Sequence, residues 1–320
     1  MHHPAIRLLV VVLLLAGMRP AFASDWQPRR PVTIVVPYAA GGGNDTLARA
    51  VGRQLARQWA EPVVVENLPG ADGFIGTRRV MEAEADGHTL LLQIPSLLLM
   101  RHLPALKGVD PLARLLPVVA VASAPAALVT GGAQPFRSLE DLVRHCRSAS
   151  PPCTAAAVEN SGRLRMRQFA LDQGLADFPV ASYRGSSQVV PDLASGQVVL
   201  ASLALNTMLP LHRSGQLRIL ATSGARRAAV LPDVPTSEEA GWAGSQSVVW
   251  FGLFVPRDTP PAVVEALAAA IRKAGRSDEV QAVIATAGAE ADTGTPAEFA
   301  EQIRRDAARL AEQVRRFPLE

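Results

Sequence analysis

The chain has 320 residues, enough for two domains, and 48% of them are hydrophobic, so well-filled cores are available. Aromatic residues make up only 5%, which leaves Leu, Val, Ile and Ala to build those cores. The formal net charge is +3, and the pI near 9.3 reflects an arginine-rich set of basic residues without a basic patch. That balance gives no reason to expect a nucleic-acid partner.

The first 23 residues read as a secretory leader. Arg7 supplies positive charge, Leu8 to Leu15 is an unbroken apolar run, and Ala21-Phe22-Ala23 is a small-x-small cleavage site. The apolar run is short for a bilayer span. A cleaved, soluble exported chain starting near Ser24 is expected.

Val32 to Val36 is a β-branched run that reads as a buried strand. It breaks at Pro37 and runs into Tyr38, Ala39, Ala40, Gly41, Gly42, Gly43, Asn44 and Asp45. Asn44 and Asp45 are good helix N-cap types, and Thr46 to Trp59 reads as a helix with Leu47, Val51 and Leu55 on one stripe. A glycine loop before a helix N-terminus suits an anion, because free N–H groups and the helix dipole face outward there. A plain strand-to-helix turn explains the same stretch equally well.

A second strand is predicted at Pro62–Asn67. The glycine-containing turn Leu68–Gly76 leads into a helix over 75–85 and then a third strand at His88–Gln93. Alternating strands and helices argue an α/β domain with a largely parallel sheet. Ligands sit at the carboxyl ends of strands in such sheets. That places the loops after Val36, Asn67 and Gln93 on one edge, with Ser96 in the last of them.

Leu116 to Val129, interrupted by Pro117 and Pro125, reads as a strand that leaves one domain and enters another. Ser138 caps the next helix. Cys146 and Cys153 are the only two cysteines, and after export they could form a disulfide or stay as free thiols. A strand at Thr154–Val158 precedes a loop at Glu159–Gly162 containing Asn160 and Ser161, and a helix follows. Arg163, Arg165 and Arg167 spread around that helix as mostly solvated side chains, and Arg163, nearest the helix N-terminus, is the one that could face a cleft. Val180 to Ser187 forms a third strand–loop–helix unit. Its Arg184 could clamp a carboxylate or make a surface ion pair. Gln216–Thr222 reads as the return crossing and Val248–Val255 as another strand. Two helices close the chain, one starting near Thr259 and one at Thr295-Pro296-Ala-Glu298, a capping box.

Enzyme signatures are missing. There is no G-x-S-x-G elbow, H-E-x-x-H pair or P-loop, and His88, His102, His145 and His212 are scattered. Several small-residue loops before helix N-termini, with two crossings between domains, fit a hinged binder better.

Taken in order, the motifs resemble a family. They are Tyr38-Ala-Ala-Gly-Gly-Gly-Asn-Asp45, Val63-Val-Val-Glu-Asn-Leu-Pro-Gly-Ala-Asp-Gly-Phe-Ile-Gly76, Asp86-Gly-His-Thr-Leu-Leu, Tyr183-Arg-Gly-Ser186, Leu231-Pro-Asp-Val-Pro-Thr236 and Trp250-Phe-Gly-Leu-Phe-Val-Pro256. Together they resemble the Bug, or tripartite tricarboxylate transporter, extracytoplasmic solute-binding receptors. The resemblance implies an α/β, two-lobed periplasmic binding protein fold of the type II kind. It divides the chain into a first lobe of 24–123 plus 223–320 and a second of 124–222. It also implies a monomer that binds a small carboxylate without chemistry or cofactor and hands it to membrane permease subunits. A receptor that presents its ligand to a membrane signalling protein is the alternative.

By the resemblance, Tyr38, Ala39, Gly41, Gly42, Gly43 and Asn44 would contact one carboxylate while Asp45 orders the loop. Ser96 would add to this side. Asn160, Ser161, Tyr183, Arg184, Gly185 and Ser186 would serve the facing lobe. Three departures stand out: Val158-Glu-Asn-Ser161 replaces a Gly-Asn-Gly-Thr-like loop, Arg163 stands where a His is usual, and Val199–Leu203 lacks an aspartate. An added arginine and a lost acid would suit a ligand more anionic or larger than an amino acid.

Overall fold

The computed structural model describes residues 26–319 except 107, 184, 244 and 293. The leader, its cleavage point and Arg184 therefore lie outside the described residues. Two half-sheets built on one plan are joined by a single long strand. In the first, β1 (Val32–Val36) pairs in parallel with β2 (Val63–Asn67) on one side and β3 (Thr89–Gln93) on the other. In the second, β5 (Ala155–Val158) pairs in parallel with β6 (Val180–Tyr183) and with β7 (Leu200–Ala204).

The joining strand is β4 (Leu115–Gly131). Its first part, Leu115–Pro125, runs antiparallel to β9 (Val248–Pro256), which in turn pairs with β3. Its last part pairs with β7 and with β8 (Leu217–Thr222). The expected passage over 116–129 is thus one continuous strand. Pro117 borders a register shift against β9, and Pro125 is the last residue paired with β9 before the strand changes sheets. Both are positions where the ladder tolerates a missing N–H.

Helices cover both faces of each half-sheet, giving two α/β lobes. In the first, α1 (Gly43–Trp59), α8 (Pro261–Gly275) and α9 (Asp278–Thr286) pack on one face through Leu47, Val51, Leu55, Leu267 and Ile271. The other face carries α2 (Phe74–Met81), the 3-10 segment Pro95–His102 and α10 (Pro296–Arg316), around Trp250, Phe254 and Phe299. In the second lobe, α4 (Leu139–Ser148) and α5 (Glu159–Asp172) share one core with Phe169, Phe178 and Trp242. On its other face lie α6 (Ser186–Ser195) and α7 (Leu205–Arg213). The four-residue α3 (Pro111–Arg114) leads into β4. Cys146 and Cys153 form a disulfide, with Cα atoms 5.4 Å apart.

Several boundaries differ from the sequence reading, each for a local reason. Helix α1 starts at Gly43, with Gly42 as N-cap, so Asn44 and Asp45 lie inside its first turn. Asp45 reaches back to accept the Gly41 N–H at 2.8 Å, doing from the third helical position what a cap does from outside. The expected loop at 159–162 is instead the first turn of α5. Helix α7 had no sequence signal, and three helices rather than two follow β9. Strand β8 stays in the second half-sheet and does not carry the chain back. Residues 223–247 remain against it: Ser237 N donates to Thr222 O, and Leu231, Val234 and Trp242 pack into second-lobe cores. The return falls at Val248, where β9 begins.

Candidate functional site

The cleft between the lobes is framed by loops at the carboxyl ends of β1, β2 and β3 on one side and by helix starts of the second lobe on the other. Tyr38 donates its hydroxyl hydrogen bond to Gln93 Oε1 at 2.7 Å and lies 2.8 Å from Ser96 Oγ. Gln93, fully buried, also accepts the Ile94 N–H and donates to Thr77, so the tyrosine is fixed from beneath. Asn67 donates to the Tyr38 carbonyl at 3.2 Å and accepts from Arg49 at 2.9 Å.

Arg49 also holds Asp45, from Nε at 3.1 Å and from Nη2 at 3.0 Å. Asp45 is only 4% exposed. Burial alone would raise its carboxyl; hydrogen bonds from Arg49, Gly41 and Asn67 outweigh that and hold it below the ordinary carboxylate value. Ala39 to Gly43 therefore form an exposed loop pinned at its far end. Gly41 has φ +81°, and the space where its Cβ would sit is open.

Two cavities open along the cleft. The smaller, about 40 Å³, is lined by Tyr38, Asp72, Ser96, Leu99, Leu103, Asn160 and Ser161. Four sequence-predicted residues from both lobes meet there. Asn160 Nδ2 reaches to within 3.5 Å of Asp72 Oδ2, a side-chain contact between the lobes at the mouth of this cavity. Asp72 itself sits in a left-handed backbone conformation, φ 53°, between Gly70 and Gly73. The larger cavity, about 280 Å³, shares Ser96 and Ser161 with the smaller and continues past Ser186 and Ala204 to Arg165, Trp242 and Arg309.

The helices that begin at this cleft share one feature. α1, α5, α6 and α7 start after Gly42, Val158, Gly185 and Ala204, and none has a side-chain cap; the starts of α5, α6 and α7 line the cavities, whereas the predicted loop Ala39–Asp45 before and at the start of α1 lines neither and adjoins them only through Tyr38. By contrast Ser138, Ser277 and Thr295, which line neither cavity, cap α4, α9 and α10. α8, also remote from the cavities, begins on a proline pair, and α2 follows the Asp72 turn uncapped. The uncapped starts leave first-turn N–H groups open to an incoming acceptor.

Tyr183 turns away from the cleft. Its hydroxyl donates to Asp192 Oδ2 at 2.5 Å, and that bond, then burial, pushes its pKa up to about 12. Its neighbours Gly185 and Ser186 supply the cap and first residue of α6. Among the three arginines of α5, Arg165 lines the larger cavity, a role the sequence reading leaned toward giving Arg163. Trp242 and Arg309 were also missed. They lie in a connecting segment and on the last helix, and only the folded chain brings them to the cleft. Among the described residues no group of three or more His, Cys, Asp or Glu is placed to hold a metal, and no helix is long and apolar enough to cross a membrane.

Two α/β lobes joined by a strand that serves both sheets, with helix N-termini facing a shared cleft, define the periplasmic binding protein class. Residues 47–317 match the sequence model described as the tripartite tricarboxylate transporter family receptor, and the chain belongs to that family. It is 33% identical over 297 residues to Protein BugT of Bordetella pertussis, covering 91% of each chain. Among solved structures it resembles MatC from Rhodopseudomonas palustris with bound malate, at 27% identity and TM-score 0.76, covering 90% of this chain and 99% of that one. It resembles R. palustris Rpa4515 with adipate at 29% identity and TM-score 0.76, covering 91% and 98%.

Proposed function

We propose that this receptor traps a small organic carboxylate between its lobes in the periplasm and delivers it to a permease of the tripartite tricarboxylate type. The observation that carries the reading is the set of uncapped helix starts at the cleft: α1 behind the glycine loop, and α5 and α6 opposite. A carboxylate accepts hydrogen bonds only, so backbone N–H groups at helix N-termini match it without a cationic side chain. Tyr38 and Ser96 would line the ligand's place on the first-lobe side, and Asn160 and Ser161 would meet it from the second lobe. β4 and the segment returning to β9 would act as the hinge. The malate of MatC and the adipate of Rpa4515, both carboxylates, agree with this ligand class.

Binding without turnover is the whole of the proposed activity. A thermal-shift screen of the exported chain against mono-, di- and tricarboxylates and neutral controls tests it. A carboxylate at a hundred times its Kd should stabilise by about 2.7 kcal/mol. A rise confined to carboxylates is expected; no rise with any of them would overturn the reading. A second arm tests delivery: cellular uptake of the hit carboxylate should fall when the receptor gene is deleted.

A further inference from the structure

The small cavity presents acceptors where a carboxylate would need donors. Tyr38 spends its hydroxyl hydrogen on Gln93 Oε1, an oxygen that also accepts the Ile94 N–H and so cannot donate back. The 2.8 Å contact between Tyr38 and Ser96 therefore uses the Ser96 hydrogen and leaves the serine oxygen as an acceptor on the cavity wall. The Asp72 carboxylate lines the same cavity. Among the described residues it accepts only from Asn160 Nδ2, at 3.5 Å, which is long for a hydrogen bond, and no arginine or lysine pairs with it.

The fold puts this acid where it is. Gly70, Ala71, Asp72 and Gly73 all have positive φ, of 123°, 47°, 53° and 87°. Aspartate tolerates that backbone better than most side chains, and such a turn persists only where its surroundings fix it. Here Thr77 Oγ1 donates to the Gly73 carbonyl at 2.9 Å and accepts from Gln93 Nε2 at 3.2 Å. One buried glutamine thus sets both the Tyr38 hydroxyl and the turn that carries Asp72.

We infer that the small cavity takes the ammonium group of an amino carboxylate, with Asp72 as the specificity-determining acceptor. This rests on the carboxylate reading of the cleft and names the substrate class within it. The carboxylate lies in the larger cavity, at the open helix starts marked by Ser161, Ser186 and Ala204. Ser96 and Ser161 line both cavities, so the two charges of one small zwitterion reach separate places. A volume of about 40 Å³ is a few times the roughly 10–15 Å³ that one water needs, enough for an ammonium group. An ammonium offers three donors and no acceptor, which complements Ser96 Oγ and the Asp72 oxygens. A second carboxylate in that place would meet acceptors and a like charge instead. This reverses the expectation of a ligand more anionic than an amino acid, drawn from Arg163 and Val199–Leu203: the first lobe supplies an acid through Asp72.

The test is isothermal titration with matched sets: propionate, lactate and alanine; succinate, malate and aspartate; glutarate, 2-hydroxyglutarate and glutamate. In the set that binds best, the amino member should bind about 10- to 100-fold more tightly than the unsubstituted one, the span expected for a hydrogen bond to a charged group. D72N removes the charge and suits the left-handed turn. It should bring those two members within about threefold of one another, with the unsubstituted acid bound at least as tightly as by wild type. D72G accepts the same φ without strain, should behave alike, and serves if D72N does not fold. An unsubstituted or hydroxy acid that binds wild type most tightly, an amino preference that survives in D72N, or an equal loss for all three members overturns the inference and leaves the carboxylate cleft standing. Failure of every acid to bind overturns the cleft reading itself, and this inference with it.

Discussion

Asp45 is where the glycine loop can be loosened by a single atom. Asp45→Asn keeps the shape and one oxygen for the Gly41 N–H, now 2.8 Å from the carboxylate, but removes the charge that Arg49 grips at 3.0–3.1 Å. Arg49 is 43% exposed, so its ion pair is solvent-screened and counts for under about 1 kcal/mol. Weakening a charge-assisted bond to Gly41 and losing a first-turn acid at α1 each add roughly 0.5–1 kcal/mol. The sum is about 1–3 kcal/mol, which lowers the melting temperature by a few degrees for a chain of this length.

The pH dependence has a definite sign. The folded carboxyl is held below the ordinary aspartate value of 3.8, so its contribution is complete above that value and is lost as pH falls through the folded one. Circular-dichroism melts should therefore separate wild type from D45N at pH 7, and the gap should shrink below pH 3.8. Carboxylate affinity should fall in the same variant, because the loop must then be ordered on binding. Equal melting temperatures at pH 7, or a gap that persists unchanged at the acid end, would refute the reasoning.

Other outcomes follow from single contacts. A Cβ at Gly76 would stand 2.9 Å from Pro37 Cβ and 3.0 Å from the Leu68 carbonyl, so Gly76→Ala should cost about 1–3 kcal/mol in chemical denaturation and weaken ligand binding at the adjoining Tyr38. The chain has two tyrosines, and a spectrophotometric titration should find one ionising near pH 12, returning toward 10 in Asp192→Asn. Because the Tyr183 pKa is raised on folding, the stability it lends is present below pH 10 and is lost as pH rises toward about 12. Reducing the Cys146–Cys153 bridge, which spans a sequence separation of seven, should cost about 2–3 kcal/mol, read as a lower denaturation midpoint in reductant.

Much of the architecture is legible in the chain itself. Val32–Val36, Val63–Asn67 and Thr89–Gln93 are short, apolar and separated by helical patterns, which is how a doubly covered parallel sheet reads. The capping boxes at Ser138 and Thr295 fix two helix starts to the residue. The sequence could not separate loop from helix at 159–162, because Asn160, Ser161 and Gly162 have turn-like propensities that packing behind Leu164 and Met166 overrides. The return crossing was misplaced for a similar reason. Gln216–Thr222 looks like any strand, and only its pairing with β4 shows which sheet it joins.

The site was readable where it is local and hidden where it is not. Tyr38, Ser96, Asn160 and Ser161 each stand beside a strand end, and the fold brings them to one small cavity. Arg165 is one of three arginines at alternating positions, and nothing in that spacing singles it out. Its burial depends on Trp242, Ser245 and Ser247, some 80 residues further along the chain.

The central claim is that the cleft holds a carboxylate by its charge through donors alone. Calorimetric titration of the exported chain with the best carboxylate from the screen, beside its neutral primary amide, tests this most directly. The amide replaces an acceptor oxygen with an NH₂ that faces only donors, so affinity should drop by about 100-fold, near 2.7 kcal/mol. Equal affinity for acid and amide would contradict the account.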